Sequence, residues 1–272
     1  MTTTGLLGDP DTVADRFCAA IEGAAAGRRD VRGRATSAAE ALNSYIRSQR
    51  LIRLVHADVA ALLANAGIPA TCVELERSLP TALTLSPKNC DVTAAPGVDA
   101  RAEEVLAIGV KSLIKNVGKN IGNNFDSVVA EATAYRDAFP HQVLGHVQVV
   151  LTHQVTFTPD EHLHWAPVGP YLLAKQLERV AALLTPRQYD HVAALIIDPT
   201  QPAGGRHVPT IATLLRRGYL RPTDVQNAAL HRVDAMTWSP LGHRLLATYT
   251  DRFPRARWGH PTAPAAAPST VT

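Results

Sequence analysis

The sequence predicts an α/β fold: a small mixed β-sheet flanked by helices, with a helical layer at the N-terminus. Three observations predict it. Apolar runs of strand length occur at 105–110, 143–152 and 192–198. Helical patterns separate them, one carrying Glu131 and one over 171–184, so the central order is strand, helix, strand. Ahead of all this, alanine-rich stripes at helical spacing fill the first part of the chain. The expected organisation is a helical layer over 1–75, an α/β core over 76–200, a helical portion over 201–260 and a tail over 261–272.

The elements follow in order. Over 11–26, Val13, Phe17 and Ile21 fall at helical spacing, and an arginine-rich loop from Gly27 to Gly33 ends the pattern. Ser37 and Glu40 form an S-x-x-E capping box that opens a helix. Its stripe runs on through Leu42, Tyr45, Ile46, Ile52, Val55, Val59, Leu62 and Leu63 until Gly67 and Pro69 stop it. Prolines 80, 87 and 96 then punctuate short extended pieces, 90–94 and 98–102, which carry Asp91 and Asp99. After the run at 143–152, Pro159, Pro167 and Pro170 mark a loop before the helix at 171–184. Further helical patterns cover 210–217 and 223–233. The Ala/Pro/Thr-rich end from Pro261 has the composition of a disordered tail.

Composition narrows the class. At 272 residues with 46% apolar residues and 5% aromatic, the chain can bury a core built from Ala, Val and Leu. A net charge of +3 imposes no global field, although Arg28, Arg29, Arg32 and Arg34 cluster, as do Arg252, Arg255 and Arg257. Three scattered cysteines without CxxC spacing support neither a disulfide framework nor a structural zinc site, which fits a reducing cytoplasm. No signal-peptide pattern and no run of about 18 apolar residues is present, so membrane insertion is not expected.

The chemistry centres on Lys111. A lysine ending a buried strand is costly unless something anionic meets it. A carboxylate on a neighbouring strand could hold a hard divalent cation such as Mg²⁺ beside that ammonium group, an arrangement suited to phosphate chemistry. Asp91 and Asp99 are the two candidates, and spacing does not choose between them. Strand alternation places position 109 on the same face as 111, where a second carboxylate would belong; the residue there is Gly109.

The runs KNCD at 88–91, IGVKS at 108–112 and KNIGNNFDSVVAEA at 119–132 resemble the core of restriction endonucleases of the PD-(D/E)XK superfamily, XhoI-like enzymes in particular. The resemblance covers about 85–155. It implies a restriction-endonuclease-like core and a Mg²⁺-dependent type II endonuclease that hydrolyses phosphodiesters of double-stranded DNA at a specific sequence, usually as a homodimer. The chain departs from the pattern at Gly109. Some members take that carboxylate from the following helix, which makes Glu131 the natural substitute. A helix there would align Asn120, Asn124, Ser127 and Glu131 on one polar face, with Phe125, Val128, Val129, Ala132 and Tyr135 packing inward. The expected site is thus Asp91 or Asp99 with Glu131 on the metal and Lys111 beside the attacking water. Lys115, Lys119, Asn120 and Asn124 would contact DNA.

Other motifs carry less. His162 and His164 form H-x-H without a third ligand, Gly204 to His207 lacks a Walker ending, and no GxSxG occurs. Two rival functions remain: a catalytically silent DNA-binding relative, which the Gly109 gap permits, and a helical scaffold with no nucleic-acid role.

Overall fold

Seven strands and eight α-helices make up the described residues of the computed structural model, which are 7–80, 87–97, 100–185, 187–226 and 228–259. The strands are β1 (Val73–Leu79), β2 (Lys88–Ala94), β3 (Leu106–Ser112), β4 (Leu144–Leu151), β5 (His153–Phe157), β6 (Leu163–Pro167) and β7 (His191–Ile197). Five form a mixed sheet in the order β1-β2-β3-β4-β7, and β5 pairs with β6 in a separate antiparallel ribbon. β1 with β2 and β2 with β3 pair antiparallel, while β3 with β4 and β4 with β7 pair parallel. Every residue of β4 is buried, as a parallel strand covered on both faces requires.

The helices are α1 (Pro10–Gly27), α2 (Ala38–Arg47), α3 (Arg50–Asn65), α4 (Val117–Ala138), α5 (Pro170–Ala182), α6 (Ile211–Arg216), α7 (Ala228–His231) and α8 (Leu241–Arg252). α4 links β3 to β4, and α5 lies between β4 and β7, so each pair of parallel strands is joined by a helical crossover. Side chains alternate across the sheet. Leu106, Ile108 and Val110 enter the core shared with α1, α3 and α8, whereas Ala107, Leu144 and Val192 enter the core shared with α4 and α5. The mixed α/β class and the N-terminal helical layer are therefore as expected.

Local chemistry sets the boundaries. Asp9 caps α1 by accepting from Thr12 N, and Pro10 stands in its first turn. Ser37 caps α2 by accepting from Glu40 N. The stripe expected to run unbroken from Leu42 to Leu63 is two helices. Ser48 turns its hydroxyl back to Tyr45 O and Gln49 adopts φ 61°, which ends α2 before α3 begins. The six-residue step from Ile46 to Ile52, which matches no helical spacing, carries that break in the sequence.

Other details depart from the expected pattern. β1 (VELERSL) is a charged edge strand with little apolar alternation. The loop expected after 152 contains β5 and β6; His153 and Val155 of β5 are buried, and no residue of β6 is. Ala102–Glu104 is a 3₁₀ turn, not the end of an extended piece, and the pattern at 223–233 breaks into short helical turns. α8 lies within the portion expected to be helical, although no pattern was singled out for it. Val98, Asp99 and the tail from residue 260 lie outside the described residues. No helix among the described residues is long and apolar enough to cross a membrane.

Candidate active site at the β2–β3 divergence

The ladder between β2 and β3 has three register pairs and ends at Val92 with Ile108. Beyond that point the N–H of Val110 donates to Oδ2 of Asp91 at 2.6 Å, so a side chain replaces the backbone acceptor that a continued ladder would supply. The irregularity is shared with β1. Register passes from Leu75 opposite Val92 to Arg77 opposite Cys90, and between them Glu76 sits at φ 58°, a left-handed conformation rare for a glutamate in a strand. Cys90 enters the core under α4 while Val92 enters the core under α3. The strand turns over at Asp91, and its carboxylate lies in the split.

Lys111 and Glu131 complete the group from the α4 side. Nζ of Lys111 is 3.7 Å from Asp91 Oδ2 and 3.5 Å from Glu131 Oε2. Nζ of Lys88 reaches the same Glu131 oxygen at 3.2 Å. Glu131 is 4% exposed, Lys111 is 31% exposed at the mouth, and Lys88 is more open still. Burial alone would lower the pKa of Lys111. The charges of Glu131 and Asp91 outweigh it, so the pKa is raised and the ammonium form is held.

Glu131 is where the missing carboxylate was expected to come from, but not on the helix face assigned to it. It is buried on the side that carries Val128, Ala132 and Tyr135, whereas Ser127 is exposed, so the supposed polar face of α4 does not exist as a unit. The inward face accepts a carboxylate because two ammonium groups meet it there. A Cβ added to Gly109 would lie 3.5 Å from Glu131 Oε1 and 3.5 Å from His146 Nδ1. His146, paired across the ladder with Gly109, is fully buried and shares a hydrogen bond with Gln148. Burial pushes its pKa down to about 4, so it is neutral at pH 7. Burial also pushes the Cys90 thiol up to about 12, reinforced by Asp91 and Glu131, which leaves no thiolate to act as a nucleophile.

The expected DNA-contact residues, at and just before the first turns of α4, differ in exposure. Lys119 is exposed, and Lys115 is half-buried with its pKa lowered by burial and by Arg47. Asn120 turns toward Lys115 O, and Asn124 lines a small cavity with Phe125, Gln148, Gln176 and Arg179. Asp91, Lys111 and Glu131 are therefore brought together, while Asp99 falls outside the described residues. Lys88 and His56 were missed. Lys88 opens the KNCD run and could have been picked from it. His56 comes from α3, and no spacing links a helical histidine to Asp91 more than thirty residues later.

Among the described residues, no three of His, Cys, Asp and Glu are gathered closely enough to hold a metal ion by themselves. Two carboxylates can do so with water and substrate oxygens, which is how Mg²⁺ is commonly bound. Comparison with protein-family models, with curated proteins and with solved structures gives no match.

Proposed function

We propose that the protein is a divalent-cation-dependent endonuclease with a restriction-endonuclease-like core, hydrolysing phosphodiesters of double-stranded DNA as a homodimer. One observation carries the reading: carboxylates from β2 and α4 flank the ammonium group of Lys111 at the end of β3. Asp91 and Glu131 would hold Mg²⁺ through hard oxygen donors. The cation supplies charge neutralisation at the phosphate and activation of water.

The chain's own side chains supply the rest. Lys111 keeps its proton and stands at the mouth, so it orients the attacking water and offsets charge on the phosphate in the transition state. Lys88, half-exposed beside it, offers a second ammonium group to a substrate phosphate. Asp91, fixed by the Val110 N–H, cannot swing out of the split without leaving a buried donor unpaired. Lys115 and Lys119, at the start of α4, extend the basic surface along the backbone of a duplex.

The test is digestion of a sequenced plasmid with Mg²⁺ or Mn²⁺, beside a gel shift in Ca²⁺. Discrete fragments that require the metal support the reading. Salt-dependent binding without cleavage supports the silent DNA-binding relative instead, and no binding at all removes nucleic acid from the account.

A further inference from the structure

His56 sits on α3, in the helical layer on the far side of the sheet from α4. Its ring is 0% exposed, and neither ring nitrogen has a hydrogen-bond partner. A neutral imidazole must carry a proton on one nitrogen, and a buried donor left without an acceptor calls for an explanation. A carboxylate acceptor lies close by: His56 Nε2 is 3.7 Å from Oδ1 of Asp91. The other oxygen of that carboxylate takes the Val110 N–H and faces Lys111. Asp91 thus has one oxygen toward each layer of helices, and His56 is the group on the α3 side.

We propose that His56 is a positioning residue: its ring turns Nε2–H onto Oδ1 of Asp91 and fixes the carboxylate with Oδ2 facing Val110 N–H and Lys111. The tautomer is set by that contact, as it is for imidazoles held by a carboxylate around metal sites. The consequence for cation binding rests on the endonuclease reading; the placement of Asp91 does not.

Two measurements on the full chain test the proposal. In ¹⁵N NMR of the histidine rings, His56 should be the Nε2–H tautomer, and Asp91→Asn should move its Nε2 resonance. A Nδ1–H tautomer, or a ring indifferent to Asp91→Asn, overturns the proposal. In calorimetric titration with Mn²⁺, His56→Phe should lower affinity by about 10- to 100-fold with the melting temperature little changed. His56→Gln, whose amide can present N–H near the place of Nε2, should recover most of it. Wild-type affinity in His56→Phe overturns the role in cation binding. Wild-type protein that binds no Mn²⁺ overturns the endonuclease reading instead, and the tautomer then decides the placement of Asp91 alone.

Discussion

Glu131 occupies the space that a side chain at position 109 would enter, its Oε1 lying 3.5 Å from where a Gly109 Cβ would be. A carboxylate from a helix and a carboxylate from a strand would therefore reach the same place by different routes. Removing Glu131 by Glu131→Ala is expected to abolish Mn²⁺ binding measured by calorimetry. Adding Gly109→Asp to that variant is expected to restore part of it. A double variant as inert as the single one would mean that the two positions do not serve one cation.

Lys111 and Lys88 share Glu131 but differ in what else they touch. Lys111→Ala is expected to lower Mg²⁺-dependent cleavage by on the order of 10³-fold while duplex binding in Ca²⁺ changes little. Lys88→Ala, which leaves Lys111 between the two carboxylates, should weaken binding more than turnover. Steady-state cleavage rates over a range of DNA concentrations separate the two.

Asp190 ties α4 and α8 to the sheet. It pairs with Arg136 at 2.7 Å and with Arg252, and it accepts from Leu144 N. Burial would raise its pKa, but the bonds from Arg252, Leu144 and Arg136 prevail and hold it below the usual carboxylate value of 3.8. A depressed pKa contributes stability that is present above about pH 4 and is lost as the pH falls through the folded-state value. Asp190→Ala leaves two arginines without their shared anion and is expected to cost about 3–5 kcal/mol in urea unfolding at pH 7.

His146 gives the pH dependence a second component. Its pKa lies near 4 in the folded chain against an ordinary 6.5, so protonation favours the unfolded state. Its contribution is complete above pH 6.5 and declines as the pH falls toward 4. Melting temperatures of His146→Leu should fall less steeply than wild type across that window. Parallel curves would mean that His146 does not titrate as its burial dictates.

Gly242 marks where α8 meets α3. A Cβ there would fall on the carbonyl oxygen of Leu62 and 2.8 Å from its carbon, so the helices approach backbone to backbone. Gly242→Ala must push them apart and is expected to destabilise by about 3 kcal/mol. Gly109→Ala, whose Cβ would meet only ordinary contacts, should be mild by comparison, and thermal denaturation of the pair checks the contrast.

The central parallel strands were legible because burial on both faces writes itself as apolar runs, as β3, β4 and β7 show. β1 was not, since an edge strand with Glu74, Glu76 and Arg77 presents no such run. α8 was covered only by the general expectation of a helical portion over 201–260, because its buried apolar side chains, Leu241, Leu245 and Tyr249, are few and polar residues fill the rest. At the site, Lys111 stood out because charge at the end of an apolar strand needs a partner. Glu131 was expected on a polar face and turns inward instead, because helical periodicity groups it with polar residues and only tertiary packing shows the two lysines that meet it. His56 left no local trace; its relation to Asp91 exists only once α3 lies on the sheet.

The short ladder at Val92–Ala94 has a mechanical consequence. Three pairs fasten β2 to β3, against six between β3 and β4 and seven between β4 and β7. The outer hairpin is thus a flap on a firm panel, and it carries Asp91, while Lys111 and Glu131 belong to the panel. Anything that grips both carboxylates acts as a hasp across that seam. Hydrogen exchange with and without Mn²⁺ should then show β1 and β2 slowing while β4 and β7 keep their rates.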